Sequence, residues 1–188
     1  MSFRAFIAVD VEEPSVLDRI KEVQALLAST KSDLKLVEPG NIHITLWFLG
    51  NITPAMAERI GGCLEEAAST VKPFYVELVG LGAFPSPGRP RVIWTGVGRG
   101  SEELRAVYGR LRDCLRRLGF RPDPKGFTPH ATVARVKRRT PELVRAIMEN
   151  SDRDFGVFRA EEIRLKKSVL TPRGPLYSTV LSFRLRGP

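Results

Sequence analysis

The chain has 188 residues, 43% of them hydrophobic, which is enough for one domain with a sizeable buried core. No apolar run approaches the ~20 residues of a membrane-spanning helix. The opening MSFRAFIAVDVEE turns acidic where a signal peptide would stay apolar, so a cytoplasmic protein with no membrane association is expected. A net charge of +9 suits a polyanionic partner, although Arg105, Arg110, Arg112, Arg116 and Arg117 read as the solvated face of one helix.

In chain order, RAFIAVDV (4–11) is strand-like, and a helix over 14–29 carries Leu17 and Ile20 on its apolar face. NIHITLWFLG (41–50) follows as a strand and holds His43, one of only two histidines. Thr53-Pro54 is a helix start, with threonine as N-cap and proline in the first turn. Met56, Ile60, Cys63, Leu64 and Ala67 continue it over 54–70. Strands at VEL (76–78) and RVIWTGVG (91–98) precede a helix over 101–118 with Leu104, Val107, Leu111, Leu115 and Leu118 on one side. FTPHATVARV (127–136) contains the second histidine, His130, and leads into the basic run RVKRR (135–139). Thr140-Pro141 then starts a helix over 141–150, before IRL (163–165) and the alternating YSTVLSFRL (177–185).

Cys63 and Cys114 fall in separate helix-like segments without metal-ligand spacing, and two buried thiols in a reducing compartment are expected. One glutamine and three asparagines against 30 Lys+Arg fit a heat-adapted source.

The order of elements repeats. The histidines are 130 − 43 = 87 residues apart, and the Thr-Pro pairs are 140 − 53 = 87 apart. At the same offset RAFIAVDV aligns with RVIWTGVG, with Arg4 on Arg91, VEL aligns with IRL, and Pro85 with Pro172. Each half reads β-α-β-α-β with a histidine on its middle strand. The expected fold is therefore α+β: a single bilobal domain over 1–188, from an internal repeat of about 3–87 and 90–185. Antiparallel-rich sheets flank a central cleft, with helices outside.

Both histidines sit in the frame His-x-Thr-aliphatic: His43-Ile44-Thr45-Leu46 and His130-Ala131-Thr132-Val133. On a strand, residues i and i+2 share a face, so two His-Thr pairs are expected to face one cleft. Imidazole titrates near ~6.5, so a neutral histidine can accept a proton while a protonated partner donates one. Threonine hydroxyls suit the phosphate oxygens between them. Arg135, at an odd spacing from His130, reaches that face only if a bulge or the strand's end turns it inward. Metal ligation, a Ser-His-Asp triad and a phosphate loop at GVGRG (96–100) all lack the required spacing.

Paired motifs of this kind, with RPRVIWTGV, FTPHATVARVK and KSVLTPRGPLYSTV in this order, resemble the 2H phosphoesterase superfamily. More closely, the chain is similar to its RNA 2′,3′-cyclic phosphodiesterase (2′-5′ RNA ligase) branch. The resemblance implies an enzyme without metal or cofactor that opens a terminal RNA 2′,3′-cyclic phosphate to a 2′-phosphate. Reversible, ATP-independent 2′-5′ joining of tRNA-like halves is implied as well. It assigns His43 as proton donor to the leaving 3′-oxygen, His130 as base, and Thr45, Thr132 and Arg135 as phosphate ligands. Phe48 and Tyr177 take positions for the terminal base or ribose, or for the core. Two alternatives remain from the residues: a non-catalytic basic RNA-binding module, and the same chemistry on 2′-5′ oligonucleotides or ADP-ribose cyclic phosphate. A monomer is expected, because the repeat supplies the symmetry a dimer would.

Overall fold

A computed structural model describes residues 1–188. Its elements are β1 (Phe3–Asp10), α1 (Pro14–Ala28), β2 (Asp33–Leu36), β3 (His43–Ile52), α2 (Pro54–Ala68), β4 (Phe74–Ser86), β5 (Arg89–Val97), α3 (Ser101–Arg117), β6 (His130–Arg138), α4 (Pro141–Glu149), β7 (Asp154–Ala160), β8 (Glu162–Thr171) and β9 (Gly174–Arg184). The four expected helices are present to within two residues. Both Thr-Pro starts work as read, Thr53 Oγ1 accepting from the Met56 amide and Thr140 Oγ1 from the Leu143 amide, each at 3.2 Å.

The strands form one antiparallel sheet in the order β7-β4-β5-β6-β3-β1-β8-β9, with β2 alongside β6. β3 and β6 meet at a single residue pair, Ile44↔Ala131. Beyond that pair they diverge, and β2 takes β3's place beside β6, pairing Lys35 with Arg135. The sheet therefore opens into a cleft with four strands on one side and, counting β2, five on the other.

The two sides do not coincide with the two halves of the chain, which interleave. One side combines β3 and β1 with β8 and β9, backed by α2 and α3. The other combines β6, β5 and β7 with β4, backed by α1 and α4. Core residues line the helix side of every central strand: Ala5, Ile7 and Val9 on β1, Ile44 and Leu46 on β3, Ala131 and Val133 on β6, Ile163 and Leu165 on β8. This burial faces the cleft with the alternate residues.

The offset of 87 holds for β3 and β6 but slips elsewhere. Asp10 pairs with His43 and Gly96 with His130, so β1 and β5 correspond at 96 − 10 = 86. Arg4 and Arg91 are consequently not equivalent. Phe6 pairs with Lys166 and Val92 with Phe84, so β4 and β8 correspond at 166 − 84 = 82.

The cysteines are not free thiols. Cys63 on α2 and Cys114 on α3 form a disulfide with their Cα atoms 5.5 Å apart. The two helices pack side by side behind β3 and β8, a proximity created by the interleaving and invisible along the chain. Gln24 on α1 is also tied in: its Nε2 donates to the carbonyls of Val37 (2.8 Å) and Val133 (2.9 Å), and the residue is 5% exposed.

Candidate active site

His43 and His130 begin β3 and β6, each one residue before the Ile44↔Ala131 pair. Ile44 and Ala131 are fully buried on the helix side, so His43, Thr45, His130 and Thr132 emerge together on the cleft side. Because the strands run antiparallel, His43 lies toward Thr132, and His130 toward Thr45. The expected four-residue arrangement is assembled at the centre of the sheet.

Both imidazoles are held the same way. Nδ1 of His43 bonds the Asn41 carbonyl and Nδ1 of His130 the Thr128 carbonyl, each at 2.7 Å. A carbonyl only accepts, so Nδ1 carries the proton in both rings and Nε2 is the nitrogen left to exchange one. Nε2 of His43 lies 2.9 Å from Thr45 Oγ1. Burial pulls both histidines below the ordinary imidazole value, and their carbonyl bonds oppose the shift. His43 also senses Asp10, which raises it, and Lys166 and His130, which lower it.

Aromatic side chains frame each ring. Phe6 lies 5.0 Å from His43, and Tyr177 meets it edge-on at 5.4 Å. Phe84 meets His130 edge-on at 5.0 Å, with Trp94 at 6.0 Å. Gly82 makes room for this frame, since a Cβ there would fall 2.4 Å from the Trp94 ring.

Arg135 reaches the cleft by a bulge. Ile93 pairs with Ala134 and Trp94 with Thr132, which leaves Val133 as an extra residue. Val133 and Ala134 are both buried in succession, and the alternation restarts so that Arg135 shares the face of His130 and Thr132. The same bulge occurs at Leu46, between the pairs Ile7↔Trp47 and Ala8↔Thr45, and it brings Phe48 onto the face of His43. Phe48 and Arg135 are thus counterparts, 135 − 48 = 87. Phe48 is 70% exposed and lies 6.4 Å from Phe6, outside the core. Tyr177 also lies outside the core. Burial raises its hydroxyl, and Arg135 and Arg4 sit close enough to oppose that shift.

Sequence reasoning missed Phe6, Asp10, Phe84, Trp94 and Lys166. The alternation of RAFIAVD already placed Phe6 and Asp10 on one face. Phe84 and Trp94 carried no such signal, because their register depends on the slipped offset.

A model of the 2′-5′ RNA ligase superfamily matches residues 12–169, a span that includes both histidines. The chain belongs to the 2′-5′ RNA ligase superfamily. It is 42% identical to the RNA 2′,3′-cyclic phosphodiesterase of Archaeoglobus fulgidus over 96% of this chain and 99% of that one. Identity to the protein of the same name from Aeropyrum pernix is 41%, over 88% of this chain and 94% of the other. A crystal structure from Thermus thermophilus superposes with a TM-score of 0.84 at 29% identity, covering 98% of both chains. The fold is also that of Escherichia coli LigT complexed with 3′-AMP, which superposes with a TM-score of 0.74 at 20% identity, over 98% of this chain and 99% of that one.

Proposed function

We propose that the cleft opens the 2′,3′-cyclic phosphate at the end of an RNA strand by hydrolysis. The observation that carries this reading is the pair of Nε2 atoms presented on one face, on either side of a single strand pairing, with both Nδ1 protons fixed on carbonyls. In-line displacement at phosphorus needs a base on one side and an acid on the other, and this arrangement offers both. Neutral His130 takes a proton from water, the water oxygen bonds to phosphorus, the bond to the 3′-oxygen breaks, and protonated His43 gives that oxygen its proton. The products are a 2′-phosphate and a free 3′-hydroxyl. Thr45 and Thr132 hold the non-bridging oxygens, and Arg135 neutralises the charge that develops on them. Phe48 stacks on the terminal base, and Tyr177 packs against its ribose.

A 5′-hydroxyl in place of water would join two RNA ends by a 2′-5′ bond without ATP, through the same proton transfers. The steps draw on imidazole, hydroxyl and guanidinium groups alone, so activity without metal or cofactor belongs to the reading. So do a cytoplasmic monomer and a single bilobal domain over 1–188, built from a repeat of about 3–87 and 90–185. The names of the Archaeoglobus and Aeropyrum relatives support this choice of substrate. No helix is long and apolar enough to cross a membrane.

The test is product analysis on a short RNA ending in a 2′,3′-cyclic phosphate, with a chelator present. A 2′-phosphate is expected, and its loss in His43→Ala and in His130→Ala with the fold intact. A 3′-phosphate, no product, or full activity in either variant overturns the reading.

A further inference from the structure

The two exits from the cleft differ in kind. On β3 a second register shift after Phe48 leaves Leu49 as an extra residue and turns Ile52 into the core. The exposed residues that follow are Gly50 and Asn51, neither charged, with Arg4 of β1 opposite Asn51. At the matching offset of 87, β6 carries Arg135, Lys137 and Arg138, and Arg139 follows just past its end. Beside them, the tip of the β4–β5 hairpin adds Arg89 and Arg91. Pro85, Arg89, Pro90, Arg91, Val136, Lys137 and Arg139 line one groove of about 460 Å³. Its four cationic side chains are exposed, no acidic residue lines it, and none of the four enters an ion pair.

Unpaired cations held this close repel one another, and a run of phosphates relieves that repulsion. Arginine suits phosphate by its planar fork of donors. Arg135 stands between this groove and the histidines on the same strand, so a chain of phosphates leaving the site meets it first and Lys137 next. At ~3.3 Å per residue, Lys137 lies about 23 Å along the strand from His130. That separation places the groove several nucleotides from the reacting end, beyond the reach of a mononucleotide.

We propose that the groove between the β4–β5 hairpin and the end of β6 is the track for the RNA backbone leading away from the cyclic end. The opposite exit, with Phe48, receives the terminal base. This assignment rests on the hydrolytic reading above and gives the bound strand a direction: body over β6, end toward β3. Single-stranded RNA is the occupant, because the groove offers cations to a backbone rather than a surface shaped to a duplex.

The test uses Arg89→Ala/Arg91→Ala/Lys137→Ala, which leaves the Arg139 bond to the Gly88 carbonyl intact. Three readouts are taken with the melting temperature. They are turnover of a 2′,3′-cyclic mononucleotide, turnover of an oligonucleotide of roughly ten nucleotides with the same end, and binding of its 2′-phosphate form across a salt series. Mononucleotide kinetics are expected to stay unchanged. KM for the oligonucleotide is expected to rise on the order of tenfold at constant kcat, and the log–log salt slope to flatten by about 2, at ~0.7 per lost phosphate contact. An unchanged KM and slope, or an equal loss on both substrates, overturns the proposal. If the wild type opens neither substrate, the hydrolytic reading fails, and the binding slope still decides whether the groove carries RNA. An oligodeoxynucleotide or acidic peptide held more tightly than RNA, with the same residues required, replaces RNA as the occupant and overturns the assignment.

Discussion

Asp10 stands directly across the β1–β3 ladder from His43, and its carboxylate is bonded by Lys166 Nζ and Arg164 Nη1, each at 2.6 Å. The equivalent place opposite His130 is Gly96. Only one of the two histidines therefore has a carboxylate beside it, and Asp10 favours the protonated form of that ring. Burial, Lys166 and His130 pull the ring the other way and leave it below the ordinary imidazole value, so Asp10 opposes that shift in the direction the proposed proton donor needs. Asp10→Asn is expected to move the alkaline limb of the rate profile to lower pH and to cut kcat/KM at pH ~7 on the order of tenfold. It also strands Lys166, which is 7% exposed, at a cost of about 3 kcal/mol. Adding Lys166→Met removes the opposing charge and the stranded ammonium together. The double variant is expected to recover both stability and the position of the limb. A limb that stays put in Asp10→Asn, followed by direct titration of His43, would show that the carboxylate does not act on the ring.

Burial depresses both histidines, and this sets the sign of the pH response. The base must be neutral, so a lowered His130 moves the acid limb below the ordinary imidazole value. The acid must be protonated, so a lowered His43 moves the alkaline limb the same way. The bell in kcat/KM is thus expected on the acid side of ~6.5. Bound phosphate favours protonated imidazole, so the kcat profile should lie at higher pH than the kcat/KM profile. A kcat/KM bell centred above the ordinary value contradicts the burial of the rings.

Arg135 and Phe48 arrive through matching bulges yet are expected to fail differently. Arg135→Ala removes a cation from the developing phosphate charge and is expected to lower kcat by about 100-fold. Phe48→Ala removes a stacking face and is expected to raise KM for base-bearing substrates by about tenfold, with kcat little changed. Neither should alter the melting temperature by more than a degree or two, since both side chains are exposed. Steady-state kinetics with a cyclic nucleotide separates the two, and a kcat defect in Phe48→Ala would place that ring in the chemistry instead.

The disulfide closes 51 residues of chain, which in the loop-entropy account stabilises the fold by about 4 kcal/mol. Cys63→Ser/Cys114→Ser is expected to melt roughly 10 °C lower than the wild type. Turnover at moderate temperature should be untouched, because α2 and α3 lie behind the sheet. Calorimetry with and without reductant checks both halves of this statement.

Much of the cleft was readable along the chain because strand alternation is local. His43 and Thr45, or His130 and Thr132, share a face wherever the strand sits, and Thr-Pro marks a helix start in any context. Arg135 was readable only as a condition, since its odd spacing demanded a bulge that the residues did not announce. Other features depended on partners distant in sequence. The register slips at β1 and β4 come from bulges accumulated across neighbouring strands. The short strand β2 and the strand β7 exist because β6 and β4 offer them an edge. The Cys63–Cys114 bond needed the interleaving of the halves, which brings α3 against α2 where a lobe-per-half reading keeps them apart.

Gln24 gives the fold a clock. The only glutamine in the chain holds the carbonyl of Val133, the bulge residue that turns Arg135 into the cleft, from a helix that never touches the site. Deamidation converts this amide to a carboxylate and sets a buried negative charge against two carbonyl oxygens. Gln24→Glu is therefore expected to lower kcat toward that of Arg135→Ala and to add little in an Arg135→Ala background, a double-mutant cycle being the measurement. An uncompensated charge at this depth is also expected to lower the melting temperature, so the same ageing event behind the sheet would weaken both the fold and the site.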